Sequence, residues 1–74
     1  MRSLTPAQRR ALEAVSRHAP IHHLDLAHEH GIDYRTQYEV FDLGLVSRAQ
    51  RGLGFVLILT PSGRAALEAK DGGK

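Results

Sequence analysis

The 74-residue chain has no cysteine, 42% hydrophobic and 24% charged residues, and a formal net charge of +2. Those values describe a small globular domain and exclude a disulfide framework, a thiolate metal site and a disordered polyelectrolyte. The longest apolar run, residues 55–59, is far too short for a bilayer span, and no apolar signal core opens the sequence, so a cytoplasmic protein is expected.

"LTPAQRRALEAVSRHA" predicts a first helix. Thr5 can cap it, Pro6 suits the first helical position, and Gln8 completes a Thr-x-x-Gln capping box. Ala7, Ala11, Leu12 and Val15 recur at helical spacing and mark the buried stripe, while Arg9, Arg10 and Arg17 turn outward. Pro20 ends the helix and leaves Ile21 for a very short strand or extended contact. "HLDLAHEHG" predicts a second helix with Leu24, Leu26 and Ala27 inward and Gly31 as its left-handed stop. Asp33 then starts a third helix running to about Leu43, with Thr36, Val40 and Leu43 inward and Phe41 at the border. Gly44 closes it.

From residue 45 the period becomes that of strands. "LVSRAQ" (45–50) and "FVLILT" (55–60) flank "RGLG" (51–54), which predicts a hairpin. Alternation puts Phe55, Leu57 and Leu59 toward the core and Val56 and Ile58 outward. Thr60 and Pro61 start a last helix with Leu67 facing in, and residues 71–74 are expected to be a frayed tail beyond a domain spanning 1–70. The segments 4–14 and 59–69 agree at eight of eleven positions, which two copies explain as one capping solution used twice rather than a repeat architecture.

Charge is arranged in blocks: residues 1–20 carry +3, residues 21–44 carry −4 and residues 45–64 carry +3. Two basic segments therefore flank an acidic one that contains the third helix.

The order helix, extended piece, helix, helix, hairpin, helix resembles the winged helix-turn-helix fold. The residues that carry the likeness are "LDLAHEHGID" between the second and third helices, "LGLV" at the exit into the hairpin, and "LTPSGRAAL" after it. They resemble the core of MarR-like and PadR-like transcriptional regulators, in which such motifs bracket the wing. The resemblance implies an α+β, mostly α fold: a three-helix core, a two-stranded antiparallel wing and a short C-terminal helix. It also implies double-stranded DNA as partner, with the third helix toward the major groove. The chain differs from those regulators in lacking length for their outer dimer-building helices and in its more acidic third helix.

In that arrangement Tyr34, Arg35, Gln37 and Tyr38 are the candidate base and phosphate contacts, Arg35 suiting guanine and Gln37 adenine. The hairpin tip supplies Arg48 and Arg51 for phosphate, with Gln50 beside them, and engagement of about three to five phosphates makes affinity fall steeply with salt. The competing reading is a protein-interaction module that docks on a larger transcription protein, or a homodimer, through the outward pair Val56 and Ile58. No membrane partner, cofactor or metal is expected. The five histidines lack cysteine partners and a shared helical face, and Ser16, Ser47 and Ser62 lack a base, so no enzyme is expected.

Overall fold

The computed structural model describes residues 4–69; the expected tail at 71–74 lies outside the described residues. The elements are α1 (Pro6–His18), β1 (Ile21–His22), α2 (His23–His30), α3 (Tyr34–Asp42), β2 (Val46–Arg51), β3 (Gly54–Leu59) and α4 (Pro61–Glu68). Local chemistry sets most of these limits. Thr5 Oγ1 accepts from Gln8 N at 3.1 Å while Gln8 Oε1 accepts from Thr5 N at 3.2 Å, closing the reciprocal box at the α1 start. Asp33 caps α3 by accepting from Thr36 N at 2.9 Å.

The α3 exit is a Schellman turn. Leu45 N donates to the Val40 carbonyl and Gly44 N to the Phe41 carbonyl, both at 2.9 Å, with Gly44 at φ +78°. Thr60 ties that exit to the last helix. Its Oγ1 donates to the Gly44 carbonyl at 2.7 Å and accepts from Gly63 N at 3.0 Å, and its own N–H donates to the Leu45 carbonyl at 3.1 Å. The two motifs "LGLV" and "LTPSG", distant in sequence, are thus one knot in space.

The core gathers Ala11, Leu12, Ala14 and Val15 of α1 with Ile21, Leu26, Ile32, Val40, Val46 and Leu57. Three expectations about facing are corrected. Leu24 is exposed because it lies in the first turn of α2, outside the stripe that Leu26 leads. Leu43 is exposed because it is the cap residue from which the chain turns away, and Leu45 packs against the core instead. Gln37, expected at the solvent, is buried.

The wing also differs from a two-stranded ribbon. Ile21 and His22 pair antiparallel with Leu57 and Val56, giving a three-stranded sheet in the order β1-β3-β2. Val56 is consequently in the middle strand, between His22 and Ala49, and is only 6% exposed. The outward apolar pair expected on the hairpin reduces to Ile58.

Asp33 supplies a pH signature. Side-chain and backbone hydrogen bonds from Thr36 hold its carboxyl below the ordinary 3.8, with a smaller pull from Arg35. A depressed carboxyl contributes stability that is present above the ordinary value and is lost as pH falls through the folded one. Wild type should therefore exceed Asp33→Asn in melting temperature at neutral pH, and the gap should close as pH drops below about 3.8. A gap unchanged through that range in a paired melting series would rule out this role for the carboxylate.

Candidate nucleic-acid interface

The first half of α3 and the β2–β3 hairpin form the two walls of a cleft of about 310 Å³, lined by His23, Tyr34, Gln37, Tyr38, Arg48, Phe55 and Leu57. Register decides which hairpin residues reach it. Arg51 pairs with Gly54, so the loop is the two residues Gly52 and Leu53, and the positive φ at Gly52 alone fits a type II′ turn. Counting back from that turn, Arg48 pairs with Leu57 and Gln50 with Phe55, on the face that looks toward α3. Arg51 is on the opposite face. The expectation that Arg48 and Arg51 share the tip is therefore corrected: Arg51 closes the turn, and Arg48 stands three residues back inside the cleft.

Arg48 is fixed by aromatic rings. Its guanidinium carbon is 3.9 Å from the centroid of Phe41 and 4.9 Å from that of Phe55, so two side chains from different elements orient one cation. Gln37 is fixed by backbone. Only 7% exposed, it donates from Nε2 to the His23 carbonyl at 3.2 Å and the Ile32 carbonyl at 3.0 Å, which pins the α2–α3 junction. That commitment removes the donor needed for a bidentate adenine contact, and the role expected for Gln37 as a base reader is corrected to that of a brace. No buried side-chain polar atom is left unpartnered among the described residues.

Two of the acidic residues of this segment are engaged by other groups. Asp33 is occupied in its cap. Glu39 accepts from Gln8 Nε2 at 3.2 Å and meets Arg35 Nε at 3.6 Å, which turns it toward α1. That pair is exposed, with Arg35 preceding Glu39, the weaker orientation for a helical pair; it is worth only a few tenths of a kcal/mol, about 0.3, and leaves Arg35 able to change partners. Asp42 is in the last turn, four residues beyond Tyr38 and therefore on the same side of α3, one turn further along the helix.

His23 lines the cleft and packs against a second histidine. The rings of His22 and His23 stack with centroids 4.7 Å apart, and Phe55 N donates to His23 Nδ1 at 3.1 Å. His23 thereby extends the β1–β3 pairing after the backbone has turned into α2. Gly54 makes the room: an added Cβ would run into His23 Cε1 and lie 2.6 Å from His22 Cε1. His18 and His30 form a second ring pair at 4.8 Å, and among the described residues no three potential metal ligands come together. Neither ring pair was predicted from the sequence, because each joins positions that only tertiary packing brings together.

Arg9, expected to face solvent, reaches from Nη1 to the Leu67 carbonyl and from Nη2 to the Ala69 carbonyl, both at 3.5 Å, and so bridges α1 to the end of α4.

These features define a winged-helix domain: a helical core, a second and third helix hinged at Gly31, and a sheet whose long hairpin flanks the third helix. The solved structure of a protein described as a "probable transcriptional regulator" from Pseudomonas aeruginosa superposes with a TM-score of 0.80 at 27% identity, over 95% of this chain and 58% of that one. The present chain thus spans less than two thirds of that regulator's length. No protein-family model matches the sequence, and no curated protein matches it. No helix among the described residues is long and apolar enough to cross a membrane.

Proposed function

We propose that this chain is a small DNA-binding transcriptional regulator, with the first half of α3 turned toward the major groove and the β2–β3 hairpin against the backbone or minor groove. One observation carries the reading. Tyr34, Arg35 and Tyr38 are exposed on α3 directly beside a hairpin bearing Arg48, Gln50 and Arg51, while Asp33 and Glu39 are engaged elsewhere. The acidic balance of α3 is then partly offset, because Asp33 and Glu39 already have partners and Asp42 lies a turn beyond the first half of the helix. Arg48 would meet the sugar–phosphate strand that runs between helix and hairpin, and Arg51 would meet phosphate at the tip. The fold shared with the Pseudomonas regulator supports the same class, and the knot of "LGLV" with "LTPSG" supports the MarR-like and PadR-like comparison. The docking alternative loses the outward pair on which it rested, since Val56 is buried.

An amide-resolved NMR titration with a random-sequence duplex tests the proposal. Signals of Tyr34, Arg35, Tyr38, Arg48, Gln50 and Arg51 should shift, and the affinity should fall with salt. Arg51→Ala should weaken binding to all sequences alike and lower the salt slope by about one. No shift at low salt, or shifts confined to other surfaces, would defeat the proposal.

A further inference from the structure

Duplex binding does not account for the aromatic lining of the cleft. Tyr34, Tyr38 and Phe55 are 52%, 60% and 40% exposed and share the opening, with His23 behind them. Tyr34 and Phe55 stand 5.9 and 5.8 Å from the His23 ring, inclined to it by 51° and 56°. They therefore flank the His23 ring at a tilt, and each keeps a large part of its surface exposed. Three large aromatic side chains part-exposed at one opening form a concentrated apolar surface, unlike singly scattered residues such as Leu53. A base pair within a duplex keeps its faces stacked on its neighbours, so these rings cannot engage them there. An unpaired base offers both faces.

We infer that the cleft between α3 and the hairpin is a stacking site for an unpaired nucleobase, making single-stranded DNA a ligand of this surface. The rings of Tyr34, Tyr38 and Phe55 supply the platform. Arg48, held on Phe41 and Phe55, is a fixed cation at the same opening for the adjoining phosphate. Flat apolar faces beside a positively charged track are the two elements that single-strand binding requires, and few cations are needed because stacking carries much of the affinity. This inference does not depend on duplex binding.

The test is a titration of the full chain with a short single-stranded oligodeoxynucleotide of mixed sequence, followed by aromatic-proton NMR and calorimetry. The same-length abasic strand and the annealed duplex are titrated in parallel. The single strand is expected to shift the ring protons of Tyr34, Tyr38 and Phe55 upfield, and the abasic strand to leave them in place. Tyr38→Ala and Phe55→Leu should each weaken single-strand binding on the order of tenfold. Tyr38 is mostly exposed and leucine retains an apolar side chain at 55, so both variants should keep a near wild-type melting transition, which is measured alongside.

Equal binding of the abasic strand, unmoved ring protons, or unchanged affinity in both variants would overturn the inference. Duplex binding without single-strand binding would also overturn it, while sustaining the regulator proposal. Single-strand binding without duplex binding would do the reverse.

Discussion

Alanine in place of Gly63 is expected to destabilise this domain by about 3 kcal/mol, against the usual effect of the substitution in a helix. Glycine to alanine inside a helix ordinarily gains up to about 1 kcal/mol through backbone entropy and propensity. Here the added Cβ would collide with the Leu45 carbonyl oxygen and lie 2.9 Å from Leu59 Cδ1. A leucine methyl can move aside, but a backbone oxygen cannot without breaking what holds it. Leu45 O already accepts from Thr60 N, and the neighbouring Gly44 carbonyl accepts from Thr60 Oγ1. Opening the contact would pull α4 from the α3 exit and loosen the cap that Thr60 provides. A domain of this size has only on the order of 5 kcal/mol in total, so most of its stability is at stake. In thermal unfolding the midpoint should fall by roughly 12–24 °C. The exposed neighbour Ser62→Ala should stay within a few degrees of wild type. A Gly63→Ala midpoint equal to that of Ser62→Ala would show that the close approach does not constrain the fold.

Gly63 also shows where the sequence stopped being readable. The Thr-Pro starts at residues 5 and 60, the glycine stops at 31 and 44, and the strand period after 45 each rest on contacts within a few residues, and all are present. The echo between segments 4–14 and 59–69 does report one capping chemistry used twice. Its most informative mismatch, Gln8 against Gly63 at the third helical position, marks a tertiary demand: one helix start closes a box with its own side chain and reaches Glu39, the other must clear a backbone carbonyl.

The misplaced residues follow the same division. Gln37 looked like a surface polar group because nothing local reveals that two carbonyls from the α2–α3 junction converge on it. Val56 looked exposed because a two-residue strand such as β1 is too short to show a period, yet it converts an edge of the hairpin into the middle of a sheet. The side on which Arg48 lies was within reach of sequence reasoning. Placing the two-residue turn at Gly52 and Leu53 puts Arg48 and Arg51, three apart on one strand, on opposite faces. The longer loop expected at 51–54 concealed that parity. The aromatic cleft was legible only as separate residues, since Tyr34, Phe55 and His23 come from three elements that meet through the sheet.

That dependence of the cleft on the sheet is tested by truncating its floor. Leu57 is 1% exposed, belongs to the core, pairs with Ile21 on one side and Arg48 on the other, and also lines the cleft. Leu57→Ala should cost about 2–5 kcal/mol, from lost burial plus the cavity left between helices and sheet. Leu53→Ala deletes the same atoms at the hairpin tip, where the side chain is fully exposed, and should leave the urea midpoint within experimental error. The contrast separates packing from composition, because the two variants have identical sequence composition and differ only in where the leucine stood. The volume-conserving change Leu57→Met should cost less than about 1.5 kcal/mol and remain folded. In that folded variant, the Arg48 and Phe55 amide signals should move, since both are adjacent to position 57 across or along the sheet, while Arg10 on the outer side of α1 should not. If Leu57→Ala unfolded no more readily than Leu53→Ala, the sheet would not be anchored through this residue. The positions of Arg48 and Phe55 over the cleft would then need another support.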